Sequence, residues 1–131
     1  MRTSPGTERW GGFLFNVREC TKEEALEILR DVAIVKHLAA YPHEIYCDEL
    51  LILNGKILAA VIPNGDEAEV HIACKYRDRV GARQIMNDFL LWLKGRGFSR
   101  IVTGAPESRK GLINMLLALG FRHESDRWVY R

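Results

Sequence analysis

EVHIACKYRDRVGA, residues Glu69 to Ala82, decides how this chain is read. The stretch runs as a strand, a short basic loop and the opening of a helix. That order gathers backbone N–H groups, the positive end of a helix and the arginines Arg77, Arg79 and Arg83 around one point, which suits a pyrophosphate. A basic cluster at a helix N-terminus opposes the helix dipole, and a bound anion supplies the compensation. The plainer alternative is a solvated helix start. Upstream, Glu69 and His71 share one face of the strand, because side chains repeat every two residues. Imidazoles ordinarily titrate at about pH 6.5, so His71 is a candidate general base with Glu69 beside it. A packed histidine and a solvated glutamate are the competing readings. An anion cradle beside a titratable pair points to an enzyme working with a phosphorylated cofactor.

Composition bounds the rest. A chain of 131 residues makes one domain and buries roughly two-thirds of its unfolded surface without staples. With 47% apolar and 27% charged residues it has the composition of a soluble globule. A formal charge of +2 is too small to imply nucleic-acid binding, and no base-stacking aromatics accompany the arginines, so that class ranks last. Cys20, Cys47 and Cys74 fit neither a zinc pattern nor a disulfide framework, and a reduced, cytoplasmic setting is the simpler inference. Cys74 reads as a small core residue rather than a nucleophile. No metal site is expected. No apolar run reaches the roughly 20 residues that span a membrane. The first dozen residues, MRTSPGTERWGG, lack the apolar segment of a signal peptide and read as a mobile leader to a single domain over 13–131.

Working outward, Phe13, Phe15 and Val17 alternate with polar or outward positions as a first strand. Thr21 and Glu24 form a capping box for a helix that ends at or before Tyr41, ahead of Pro42. Strands over 50–53 and 57–62 flank Asn54-Gly55, a strong hairpin signal. A second turn over Pro63–Asp66 leads into a strand over 68–74. A helix over about 82–94 presents Ile85, Met86, Phe89, Leu90 and Leu93 as one stripe, closed by Gly95 and Gly97. A short strand over 100–104, a helix over about 108–119 and a last strand over 125–130 complete the order β-α-β-β-β-α-β-α-β. The fold class is α/β: a mixed, mostly antiparallel twisted sheet with helices on both faces.

This order resembles that of the GNAT superfamily of N-acetyltransferases. Three segments support the likeness: EVHIACKYRDRVGARQIMNDFLLWLKGRGF, then RIVTGAP, then LLALGFRHESDRWVYR. The family's loop pattern is Arg or Gln, two residues, Gly, one residue, then Gly or Ala. Here it falls on Arg77, Val80 and Ala82, with valine in place of the middle glycine and Gly81 next to it. The resemblance implies an acetyl-CoA site. Ile72, Ala73 and Cys74 would flank the pantetheine arm where their strand splays from 101–103. Arg77, Arg79, Val80, Gly81, Ala82 and Arg83 would hold the pyrophosphate. It implies direct acetyl transfer to an amine of unknown identity, with His71 and Glu69 as proton acceptors. The position where family members often carry a tyrosine acid is Leu116. His37, Tyr41, His43 and Tyr46 fall where the family shapes its acceptor pocket, or pack a helix end. Trp128 and Tyr130, as an exposed pair on one face of the last strand, imply a homodimer contact. A narrower likeness, in the E-x-H strand and glycine-poor basic loop, is to compact GNAT-like proteins encoded by tailed phages. It implies the alternative: a catalytically inactive structural or interaction protein with virion partners.

Overall fold

A computed structural model describes residues 6–10, 13–35, 49–75, 80–105, 107 and 109–131, with the side chains of 6–14 and 31–35 excepted. The elements are β1 (Gly6–Trp10), β2 (Phe13–Glu19), α1 (Lys22–Val35), β3 (Glu49–Leu53), β4 (Ile57–Asn64), β5 (Glu67–Cys74), α2 (Ala82–Gly95), β6 (Arg100–Thr103), α3 (Lys110–Leu119), β7 (Arg122–Glu124) and β8 (Arg127–Tyr130). They build one eight-stranded sheet in the order β1-β2-β3-β4-β5-β6-β8-β7. Every neighbouring pair is antiparallel except β5 and β6, which run parallel. The α/β class and the mixed, mostly antiparallel sheet are as the sequence predicts.

Alternation along the strands sorts the two faces. Ile57, Ala59 and Val61 on β4 and Ala68 and Val70 on β5 join Phe89, Leu90, Leu93 and Leu116 in the main core, which places α2 and α3 on one face. Ile52 and Leu58 meet Ala25 and Ile28 in a smaller cluster, with Ala73 against it, which places α1 on the other. The capping box at α1 forms as read: the Glu24 N–H donates to Thr21 Oγ1 at 3.2 Å, and the Thr21 N–H donates to Glu24 Oε1 at 3.1 Å. Arg18 adds a 2.7 Å bond to Glu24 Oε2 and holds that carboxyl well below the ordinary range, at about 2. At the first hairpin both Asn54 and Gly55 adopt positive φ, 50° and 67°. Asn54 is further held by β2, accepting the Asn16 N–H on its Oδ1 at 2.7 Å.

Three expectations change. Residues 6–10, read as leader, pair with β2 as a strand. The last strand is a hairpin, because Ser125 turns at φ 58° and lets Arg122–Glu124 fold back on β8. Trp128 and Tyr130 are not an exposed pair. Trp128 stacks on His123 at 4.9 Å and Tyr130 tilts against Phe121 at 5.5 Å, both packed with the main core. Among the described residues, no helix is long and apolar enough to cross a membrane.

Candidate active site

The site begins where a ladder stops. β5 pairs with β6 only through Glu67↔Arg100, Ala68↔Ile101 and Glu69↔Val102, although β5 itself continues to Cys74. The paired end is tightly held. Glu67, almost fully buried, accepts Arg100 Nε at 2.8 Å and Arg127 Nη1 at 3.2 Å, so one carboxylate ties β5, β6 and β8. The Ser99 N–H donates to the Asp66 carbonyl at 2.8 Å, and Ser99 Oγ donates to its carboxylate at 2.5 Å, which lowers that carboxyl's pKa. Beyond Glu69 the two parallel strands share no register, and a gap opens between them.

Two adjoining cavities occupy the α2–α3 side of this gap and share Ile72, Met86, Arg109 and Leu112. The outer one, about 340 Å³, lies against Ala73, Cys74, Ala82, Arg83, Gly111 and Met115. The inner one, about 150 Å³, reaches Val70, Ile101, Thr103, Gly104 and Leu116 at the closed end. Among the described lining residues there is no carboxylate, while Arg83 and Arg109 face the outer cavity from two helix starts.

The start of α2 shows neither a side-chain cap nor an acid in its first turn among the described residues, and its N-cap is Gly81 at φ 79°. The first four N–H groups of a helix have no partner within it, and they carry the positive end of its dipole. A left-handed turn falls on Gly81, and Val80 beside it is 82% exposed. The valine therefore stands in solvent.

On the opposite, α1 face of β5, His71 Nε2 and Glu69 Oε2 lie 2.7 Å apart, both about half exposed. His71 also borders the inner cavity, so it stands at the gap itself. At the open end Lys75 Nζ bonds Glu27 Oε1 of α1 at 2.8 Å.

Of the residues read from sequence, Ile72, Ala73, Cys74, Ala82 and Arg83 come together on the outer cavity, and Glu69 and His71 lie within hydrogen-bond distance of each other. Val80 and Gly81 precede α2 without lining either cavity. Arg77 and Arg79, with His37, Tyr41, His43 and Tyr46, lie outside the described residues. Leu116 is buried and faces the inner cavity, so the place where the family often has a phenol is apolar here. Sequence reasoning missed Arg109 and Met86. The signal for Arg109 was a second junction, β6 to α3, entering the same gap from the other side.

No protein-family model and no curated relative matches the chain. Solved structures do. The GNAT domain of PAT from S. lividans superposes with a TM-score of 0.66 at 14% identity, over 96% of each chain. This chain has the GNAT fold. The ribosomal-protein-alanine N-acetyltransferase of Escherichia coli gives a TM-score of 0.62 at 17% identity, covering 88% of this chain and 90% of the other. An acetyltransferase of Bacillus subtilis, solved in complex with CoA, gives 0.62 at 18% identity over 85% of this chain and 77% of that one. The parallel β5–β6 pair and the start of α2 thus sit in a sheet of GNAT fold.

Proposed function

We propose that this GNAT-fold chain is an N-acyltransferase that moves an acyl group from a CoA thioester, acetyl-CoA being the simplest donor, to an amine. One observation supports it above the others. The cavity that starts at the α2 N-terminus ends at a gap whose far side presents the Glu69–His71 pair. Donor and acceptor can then meet through the sheet, the thioester from the α2–α3 face and the amine from the α1 face.

Under this reading the labour divides among named residues. The N–H groups of Ala82, Arg83 and Gln84, with the Arg83 guanidinium, bind the pyrophosphate; charge-assisted bonds of this kind contribute roughly 1.5–3 kcal/mol each. Ile72, Met86 and Leu112 hold the apolar arm. His71 takes the proton from the attacking amine while Glu69 orients the imidazole and stabilises its charged form. The thioester supplies the acyl group and a thiolate that leaves easily, since thiols ionise at roughly pH 8.5. A dedicated acid is therefore dispensable, and positioning supplies most of the acceleration.

Leu116 favours a second reading, a non-catalytic interaction module of the same fold. Thiol release from acetyl-, propionyl- and butyryl-CoA in the presence of a panel of amines (aryl and alkyl amines, polyamines, peptide N-termini) separates the two. Amine-dependent release is the expected outcome. CoA binding without amine-dependent release from acetyl-, propionyl- or butyryl-CoA would favour the module.

A further inference from the structure

We infer that the inner cavity is an acyl-chain pocket, and that this chain takes a short aliphatic acyl donor longer than acetyl. The inference rests on the CoA-thioester reading above and names the donor class. A ligand whose phosphates sit at Ala82 and Arg83 lies along the outer cavity, so its far end arrives at the inner cavity, which Ile72 and Thr103 both line beyond the point where the strands part. There the thioester carbon must face the α1 side, where His71 stands. Its alkyl substituent then points the other way, into the inner cavity.

That cavity is about 150 Å³, more than a methyl group fills. Its wall is made by Val70, Leu90, Ile101, Leu116 and Phe121, each no more than 4% exposed. The polar side chains on its lining are Thr103, Arg109 and His71. A void walled by buried hydrocarbon forfeits dispersion contacts, and an alkyl chain restores them. Leu116 is central to this. A polar aromatic at that position would close the cavity, whereas leucine leaves it open and apolar.

Each buried methylene is worth about fourfold in affinity. The gain ends when the chain outgrows the space, because these walls are packed against the core and resist overfilling. A carboxylate-terminated acyl group gains less, since its charge would be buried against hydrocarbon.

Calorimetric titration with CoA, acetyl-, propionyl-, butyryl- and succinyl-CoA, without any amine, tests this as binding alone. Kd should fall about fourfold per methylene from acetyl to butyryl, roughly 15-fold in all, with succinyl weaker than butyryl. In Leu116→Phe the butyryl advantage should vanish while CoA itself still binds. The series on the natural chain stands by itself if that variant does not fold. Equal affinity for acetyl- and butyryl-CoA, or tightest binding of succinyl-CoA, overturns the acyl pocket and leaves the CoA site intact. Failure of CoA and all its thioesters to bind removes the underlying reading as well.

Discussion

The two ends of β5 are built to opposite rules. Residues 67–69 are laddered on both sides and pinned by a buried carboxylate shared between Arg100 and Arg127. From Val70 to Cys74 the strand keeps its β4 partner, loses β6, and borders the two cavities. The closed end spends its charges on the fold; the open end leaves a histidine half exposed, a helix start with no side-chain cap among the described residues and an arginine beside the outer cavity. A gap in a sheet keeps its shape only if one end is fixed. The ion pairs and the cavity are two halves of one device.

The comparison can be broken at several points. The largest effect belongs to the open end. His71→Ala should lower kcat by about 100-fold or more while moving CoA affinity less than about threefold, because the imidazole serves the amine. Parallel loss of kcat and affinity would make His71 structural. At the closed end, Glu67→Ala leaves two guanidiniums that are 39% and 46% exposed, so water replaces part of what is lost. A destabilisation of about 2 kcal/mol is expected in urea unfolding, with weaker CoA binding as the gap loosens.

The loop gives a smaller contrast. Gly81→Ala places a side chain at φ 79° and should cost about 1 kcal/mol of strain at the helix start, although the space around it is open. Val80→Gly should change CoA affinity less than about twofold, since Val80 stands in solvent. A larger gain from the glycine variant would show that the valine impairs the loop. The smallest effect lies away from the gap, at the α1 cap. The folded-state pKa of Glu24 is depressed from 4.5 to about 2, so its contribution is present above pH 4.5 and lost as pH falls toward 2. Melting temperatures of wild type and Glu24→Gln should therefore converge over that interval, and a constant difference would assign the effect to something other than ionisation.

Much of this was legible in the sequence, for physical reasons that differ by residue. Period-two alternation and the Asn54-Gly55 turn are local, so the meander could be read directly. The Thr21–Glu24 cap is equally local. The hairpin of β7 was hidden because its turn rests on Ser125 at positive φ, which residue type does not announce. The exposure of Trp128 was misjudged because its cover, His123, comes from that unread strand. At the site, the outer cavity's β5 and α2 residues followed from the strand–loop–helix order. Arg109 and the inner cavity did not, because they depend on where β6 ends and α3 begins, a relation between segments distant in sequence.

The central claim is that the open half of β5 and the start of α2 form the CoA site while the closed half does not. Backbone amide mapping by NMR during a CoA titration tests it residue by residue. Shifts should concentrate at Val70–Cys74 and Ala82–Gln84, leave Glu67–Glu69 nearly still, and saturate at micromolar concentrations. Shifts centred on the β7–β8 hairpin, or an unchanged spectrum at millimolar CoA, would contradict it.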